Sequence, residues 1–487
     1  MQPRITAPAE YAAQPCSADD ALRELLRARL GGLGPTGANT LAADLDVDPS
    51  RVNTALHSLQ QEGNLMQGSF TPGGDGDEWC ERHLLARIHR YTLGRLRREI
   101  EPVSRRDFMR FLFAWQHVGK EHALRGPDAL ASVLAQLEGF EAAASAWESE
   151  MLPARVADYD PAWLDDLCRA GRLVWMRLRE RASNAQDRPA SGPVRSTPLV
   201  LLPRRDAPAW AALAGHDSDA ETLSSRAQAV AEALTEQGAM FFDELIDCTH
   251  LLPTELENAL GELVAAGRIN ADSFAGLRAL LLPASKRKHR RHRRVRRHTL
   301  SGIADAGRWS LIRRNNAADD QREQCIEHLV HTLLRRYGVI CWRLLEREPA
   351  WLPTWRELRR VCQRLEARGE IRGGRFIDGL VGEQFALPEA VELLRKTRRQ
   401  ARDGKIITIS GSDPLNLVGT LIAGDKIPAR SNTRIAWRDG VPIAACVAGQ
   451  AKALVDLDID DQTALRRHAF NIRLAHPEPA RAVSEQR

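Results

Sequence analysis

The chain has 487 residues and a formal net charge of +5 at pH 7. Of its residues 43% are hydrophobic and 27% are charged. This length and composition are typical of a globular protein of several domains and exclude a disordered chain. It has no apolar run of about eighteen residues and its first residues lack the apolar core of a signal peptide, so we expect a cytoplasmic protein without a membrane span. The eight cysteines form no Cys-x-x-Cys pair, which argues against a zinc ribbon or a disulfide framework and favours a reducing compartment.

One pattern recurs four times: a proline, a helix with apolar residues at helical spacing, and the ending Leu-x-x-x-Gly-x-Leu/Ile. The copies start at Pro49, Pro161, Pro253 and Pro353 and stop at Gly63, Gly171, Gly267 and Gly369. Pro suits the first helical position, where its missing N–H costs nothing, and Gly accepts the left-handed conformation that ends a helix. Chance explains one copy, but four copies at intervals of roughly 100 residues predict tandem winged helices, a helix-turn-helix variant.

The predicted modules follow one another along the chain. Their boundaries are 18–77 for the first winged helix, 78–180 for the second, 197–283 for the third, 284–318 for a basic linker or arm, and 319–399 for the fourth. We expect the second module to begin with one long helix over residues 78–100, because apolar residues recur there at helical spacing.

After Gly404 the apolar residues change to a period of two, which indicates strands. Asp439-Gly440 separates two such runs and is a strong signal for a tight hairpin. Residues 404–470 are therefore predicted as a small β-barrel with a closing helix. The predicted fold class is mainly α with small β: tandem winged-helix modules followed by a small β-barrel.

Several blocks of this sequence resemble the region that follows the helicase core in the large helicase-related (Lhr) family of bacterial DNA-repair helicases. The blocks are residues 78–93, 155–164, 307–311, 336–339, 372–376, 382–390 and 412–419. They occur in the family's order over about residues 20–460. The chain has no Gly-x-x-x-x-Gly-Lys-Ser/Thr motif and no Asp-Glu-x-His box, so we expect no ATPase or helicase motor in it.

The resemblance implies further properties. It implies DNA as partner, a helicase core in the same polypeptide or in a partner chain, and association into a homo-oligomer. It also implies a fold relation to winged-helix DNA glycosylases of the AlkZ type, and uracil-DNA glycosylase activity. The Gln-apolar-Gln motif of AlkZ-type enzymes has no clean counterpart here, which puts alkyl-base chemistry in doubt.

Two groups of residues are candidates for nucleic-acid binding. Residues 286–297 contain nine Lys or Arg, whose phosphate contacts would release counterions. The candidates in this basic run are Lys286, Arg287, Lys288, Arg290, Arg291, Arg293 and Arg294. In the fourth module Arg356, Arg359 and Arg360 lie on the predicted recognition helix, and Arg375 and Phe376 lie on the wing, where Arg can reach phosphate and Phe can stack on a base. The alternatives are a solvated linker, a solvated helix face and a core Phe.

A glycosylase needs a group that orients a water at the base to be released. Asp378 and Glu383 beside the fourth wing, and Asp413 at the start of the β region, are the candidate catalytic residues; the alternative is that they cap turns. Trp79, Trp163, Trp309 and Trp342 could stack on bases, although core packing is the commoner use. His83 and His89 are six residues apart and do not share a helix face, so we expect no metal and no cofactor.

The sequence thus predicts a nucleic-acid-binding region of an Lhr-type helicase that acts on single-stranded or forked DNA. Uracil-DNA glycosylase activity is a further expectation. The alternative is a structural module that oligomerises the helicase and has no chemistry of its own.

Overall fold

The recurring pattern of proline, helix and glycine folds four times into the same arrangement in a computed structural model of the chain. Each copy consists of a helix, a short strand or bridge, two further helices and two wing strands, with the last strand in the centre of the sheet. The structure describes residues 16–73, 76–98, 100–179, 194–215, 223–281, 303, 307–312, 319–430, 432–468 and 470. It divides into two compact units, Met1–Ile100 and Glu101–Arg487.

The first unit is the first winged helix. Its elements are α1 (Ala18–Leu30), β1 (Thr36–Gly37), α2 (Ala38–Leu45), α3 (Pro49–Gln61), β2 (Leu65–Gly68), β3 (Glu78–Glu81) and α4 (Arg82–Arg98). The sheet is antiparallel with the order β1-β3-β2. The predicted boundary after residue 77 is wrong, because Glu78–Glu81 is a strand of this sheet and buries Trp79 against Leu56 and Leu59. Helix α4 therefore starts only at Arg82.

The second module opens the second unit. Its helices are α5 (Arg105–Trp115), α6 (Pro127–Gln136), α7 (Ala144–Ala146), a π-helix (Trp147–Met151), α8 (Pro161–Arg169), a 3-10 turn (Val194–Ser196) and α9 (Ala207–Ala214). Its strands are β4 (Leu124–Arg125), β5 (Ala142–Ala143), β6 (Val156–Ala157), β7 (Leu173–Met176) and β8 (Pro198–Pro203). Strand β8 lies between β5 and β7. The segment predicted to open the third module thus completes the sheet of the second.

In the third module, too, the last strand lies beyond the predicted boundary. Its elements are α10 (Ser225–Gln237), α11 (Phe242–Thr249), α12 (Pro253–Ala265), β9 (Ile269–Ala271), α13 (Phe274–Leu281) and β10 (Trp309–Leu311). Strand β10 pairs antiparallel with β9, and Trp309 also bridges to Met240. The basic run of residues 286–297 lies outside the described residues. In sequence it falls between the two wing strands of one module and not in a linker between modules.

The second and third modules share one hydrophobic core. Its buried residues run from Leu130 to Trp309 and include Trp147 and Trp175. The indole N–H of Trp175 donates to the Ser273 carbonyl oxygen at 3.0 Å, which joins a wing strand of the second module to the third.

The elements of the fourth module lie within residues 319–399. Its elements are α14 (Asp319–Tyr337), β11 (Val339–Ile340), α15 (Trp342–Leu345), α16 (Trp355–Ala367), β12 (Arg372–Gly374), β13 (Gln384–Ala386) and α17 (Pro388–Arg399). Pro353 was predicted to open α16, but Thr354 caps this helix and shares a capping box with Glu357, so Pro353 precedes the cap. The glycine stops are confirmed: Gly63, Gly171, Gly267 and Gly369 have φ angles of 78°, 67°, 72° and 79°.

The last region contains a sheet and a helix. Its elements are β14 (Ile406–Ser410), β15 (Arg434–Arg438), β16 (Val441–Val447), β17 (Gln450–Ala453) and α18 (Ile459–Arg467). The Asp439-Gly440 hairpin is confirmed, with both residues at positive φ. The predicted barrel is wrong: the sheet is an open meander with β14 and β17 at opposite edges, because residues 411–430 form turns that bury Leu415 and Leu417 instead of adding strands.

None of the helices in the described ranges combines the length and the apolar character that a membrane span requires.

Candidate nucleic-acid interface

The four helices that precede the glycine stops, which we term recognition helices, differ in charge. Helix α16 of the fourth module carries four arginines and two glutamates. Helix α12 carries three glutamates and no basic residue, and α8 carries two aspartates and one arginine. Since a phosphate backbone attracts cations and repels carboxylates, the fourth module offers the most suitable of these helices for nucleic acid.

Helix α16 separates its apolar and cationic residues. The side that packs on the core contains Leu358, Val361, Cys362 and Leu365. Arg356, Arg359 and Arg360 are exposed, as predicted. Arg359 Nη1 lies 3.5 Å from Glu383 Oε2 on the wing, whereas neither Arg356 nor Arg360 has an ion pair or hydrogen bond to any described residue. These two arginines lie one helical turn apart and are available to bind phosphate.

The remaining arginines of this helix and its cap have partners. Arg364 pairs with Glu323, and Arg368 Nη2 lies 2.5 Å from Glu327 Oε1, both on α14. These pairs attach the recognition helix to the first helix of its own module. Arg364 and Arg368 are therefore natural controls for Arg356 and Arg360.

The two wing residues predicted to bind nucleic acid have different surroundings. Arg375 is exposed, but the side chain of Phe376 is only 2% exposed, so the prediction that Phe376 stacks on a base is wrong. The Gln384 side chain accepts hydrogen bonds from the N–H groups of Phe376 and Ile377 and donates to the Ile377 carbonyl oxygen. This buried amide fixes the wing with Arg375 facing solvent and Phe376 facing the core.

Trp342 provides the aromatic surface at this wing. Trp79 and Trp309 are buried, whereas Trp342 is 38% exposed. Its indole N–H donates to the Val381 carbonyl oxygen at 3.0 Å, and the Arg343 guanidinium carbon lies 4.2 Å from its ring centroid. Sequence reasoning favoured a core position for Trp342; the neighbouring Arg343 at the helix start was the available signal for a cation–π pair at the surface.

The three predicted catalytic carboxylates do not form one site. Asp378 is exposed, and its carboxylate accepts from the Gly379 N–H at 2.8 Å. Glu383 is half-buried, between Arg359 and the Gln363 amide, which lies 3.3 Å away. Both residues belong to the wing of the fourth module.

Asp413 is remote from solvent, and its assignment to catalysis is wrong. Its carboxylate oxygens accept from Arg155 at 2.7 Å and 2.9 Å, and both side chains are essentially fully buried. Gln116 binds the same guanidinium, and Arg347 donates to the Asp413 carbonyl oxygen. Asp413 is the centre of a structural ion pair and cannot orient a water at an exposed base.

A single group in the described part of the chain has the ligand spacing of a metal site: Glu138, Asp206 and His328. Glu138 already accepts from the Trp210 indole at 2.8 Å and from His328 at 2.6 Å. Burial alone would raise the pKa of Glu138, but the hydrogen bonds from His328 and Trp210 outweigh burial and lower it. The hydrogen bond to Glu138 in turn raises the pKa of His328. This group is an ion pair that joins the second module to α14 of the fourth.

Comparison with known proteins finds similarity to one family over most of the chain. Residues 103–192 and 318–406 each match the description "Large helicase-related protein, winged-helix domain". The chain is 29% identical over 455 residues to "Lhr helicase/ probable uracil glycosylase" of Mycolicibacterium smegmatis (strain ATCC 700084 / mc(2)155), which covers 89% of this chain and 28% of the relative. It is 28% identical over 451 residues to "Lhr helicase/uracil glycosylase" of Escherichia coli (strain K12), covering 84% of this chain and 27% of the relative.

The chain thus spans slightly more than a quarter of the length of these relatives. The two domain matches coincide with the second and fourth winged helices of the structure, and the relatives align with most of the chain. These comparisons support the interpretation of the chain as similar to a C-terminal region of large helicase-related proteins.

Proposed function

We propose that this region binds single-stranded or forked DNA for an Lhr-type helicase through the fourth winged helix. The observation that carries the proposal is the pair of exposed arginines, Arg356 and Arg360, which have no partner among the described residues. Arg359, on the same helix as this pair, forms an ion pair with Glu383 on the wing. Trp342 donates a hydrogen bond to the Val381 carbonyl oxygen beside it. The surface therefore combines cations for phosphates with an aromatic ring for a base, as single-strand binding requires.

The basic run of residues 286–297 supports the same function. Its nine cations add a strong attraction for phosphates, and the neighbouring sequence belongs to a winged-helix module. The helicase core would lie in the same polypeptide or in a partner chain, and it would supply the ATP-driven movement for which this sequence has no motif.

The salt dependence of DNA binding tests this proposal. Two phosphate contacts contribute about 1.4 to the slope of log K against log salt for single strands, so the advantage of the wild type over R356Q/R360Q should shrink about sevenfold between 50 and 200 mM salt. R364Q/R368Q removes the same charge from the same helix and serves as the control. Replacing the cations of residues 286–297 should also flatten the slope.

Equal slopes for R356Q/R360Q and the wild type would contradict the proposed interface. An oligomer, measured by light scattering, that binds no DNA at low salt would instead support the alternative of a structural oligomerisation module.

A second candidate function is removal of uracil from DNA, which the names of both relatives favour. In this reaction water adds to the sugar carbon as the bond to the base breaks, which leaves uracil and an abasic site. Asp378 and Glu383 are the exposed or half-exposed carboxylates on the wing that could orient the water. An unstacked base reacts most readily, so single-stranded uracil should be the best substrate.

Alkali cleavage of uracil-containing single strands after incubation with the protein and EDTA tests this activity. D378N or E383Q should lower the rate by orders of magnitude while DNA binding persists. D128N, at an exposed carboxylate of α6, is the control. Strand breaks no more frequent than without protein would end the glycosylase proposal, and an unchanged rate in both variants would mean that the catalytic residue lies elsewhere.

A further inference from the structure

We propose that helix α4 of the first unit is a second and separate DNA-binding surface, in which Arg87 and Arg90 bind phosphates and Tyr91 stacks on a base. This surface extends the proposed function but shares no residue with the interface on the fourth module. Each surface can therefore be tested and can fail independently of the other.

The charge of this helix is unbalanced. Helix α4 contains six arginines and two histidines in 17 residues and no aspartate or glutamate. The side chains of Arg82, Arg87 and Arg90 are exposed and make no ion pair or hydrogen bond to any described residue. By contrast, Arg23, Arg27 and Arg29 of α1 in the same unit each pair with a carboxylate. The first unit thus pairs these three arginines of α1 with carboxylates but leaves the side chains of Arg82, Arg87 and Arg90 on α4 without such a partner among the described residues.

Unpaired like charges at this spacing weaken a helix. Arg87 and Arg90 are three residues apart on one face, where like charges repel each other and destabilise a helix. A polyanion bound to this face would replace the repulsion between the two arginines by their attraction to the phosphates. A solvated helix would gain stability from acidic residues interspersed with the arginines, and α4 has none.

The same face of α4 has an exposed aromatic side chain and, one turn further, a glycine with open space above it. Tyr91 follows Arg87 by four residues and is 68% exposed. Gly94 lies one turn further along this face, and a Cβ atom built there would meet no described atom within 4 Å. Packing therefore does not explain the glycine, whereas close approach of a phosphate backbone would.

Charge complementarity identifies the occupant as a nucleic acid rather than an anionic membrane. A helix that lies on a membrane needs a free apolar face. The apolar residues Leu84, Leu85 and Leu93 of α4 are already half-buried in the structure. Of the large aliphatic side chains of α4 that the structure describes, only Ile88 is exposed, at 36%. The arginines therefore dominate the exposed face, and the ring of Tyr91 suits a base better than an acyl chain.

The test compares R87S/R90S with R27S/R29S, which removes the same charge from the paired arginines of α1, using a fluorescent single-stranded oligonucleotide and the full chain. The wild-type advantage over R87S/R90S should shrink about sevenfold between 50 and 200 mM salt, as two lost phosphate contacts require. Y91A should weaken binding about tenfold at constant salt, and Y91F should bind like the wild type because it keeps the ring. Circular dichroism verifies that each variant is folded.

Three outcomes would overturn the proposal. The first is a salt dependence of R87S/R90S equal to that of the wild type, and the second is an equal effect of R27S/R29S. The third is an R87S/R90S variant that binds DNA like the wild type but no longer binds vesicles of phosphatidylcholine and phosphatidylserine. That result would assign the helix to a membrane surface. If the first outcome occurs while R356Q/R360Q does lose DNA binding, this inference fails and the proposed function stays intact.

Discussion

Replacing Asp413 by Ala should destabilise the second unit strongly, because it leaves the Arg155 guanidinium buried without its counter-ion. The two side chains share hydrogen bonds of 2.7 Å and 2.9 Å in a site closed to solvent. Removal of one member of such a pair costs about 3–5 kcal/mol of unfolding free energy. By contrast, R155M/D413L leaves no buried charge and should destabilise the second unit less than D413A, although Gln116 loses its partner.

Urea unfolding followed by circular dichroism measures this effect. With an m-value of about 3 kcal/mol/M, the midpoint for D413A should fall by roughly 1–2 M. D425A removes an exposed aspartate from the same region and should leave the midpoint unchanged. A midpoint for D413A within about 0.3 M of the wild type would refute the structural role of the pair. A loss of glycosylase activity at full stability would restore Asp413 as a catalytic candidate.

Three further predictions concern residues already described. The hydrogen bond to Glu138 raises the pKa of His328. This pair should therefore stabilise the protein fully below about pH 6.5 and progressively less as the pH rises through the raised pKa. H328Q should remove this pH dependence of the urea midpoint. G440A should unfold at a lower urea concentration than G449A. Both glycines have positive φ, but only at Gly440 would the new Cβ overlap the backbone of α5. F376A should lower the unfolding free energy by about 3–5 kcal/mol, as loss of a buried Phe does, while F376L should bind DNA like the wild type; weaker binding by F376L at full stability would mean that the ring does reach the nucleic acid.

The helices were predictable from the sequence because their signals are local. Pro or a capping residue starts each recognition helix, and a glycine at positive φ ends it. These are properties of single residues and their neighbours, so they hold wherever the helix later packs. The Asp439-Gly440 hairpin was predictable for the same reason.

The module boundaries failed in one consistent way. In three modules the strand that completes the sheet was assigned to the next segment: Glu78–Glu81, Pro198–Pro203 and Trp309–Leu311. Each follows its partner strand after a long or irregular connection, so the pairing depends on tertiary contacts that a strand of three to six residues does not encode. In the fourth module the wing strands lie close together in sequence, and both fall within the predicted range of residues 319–399.

The candidate site was predictable by residue type but not by exposure. The arginines of α16 are where helical spacing placed them, whereas Phe376 and Asp413 are buried. Whether Phe376 faces the core depends on the register of the wing, and whether Asp413 is buried depends on Arg155, which is 258 residues away. Neither fact is contained in the local sequence.

The shared core of the second and third modules limits how this region can be divided. Winged-helix repeats look interchangeable in sequence, yet a cut between residues 215 and 223 would expose the apolar residues that each of these two modules buries against the other. These two modules should therefore open together in native-state hydrogen exchange, with similar protection in α6 and α12, as one cooperative unit. A shortened version of this region should therefore keep the second and third modules together as a single piece.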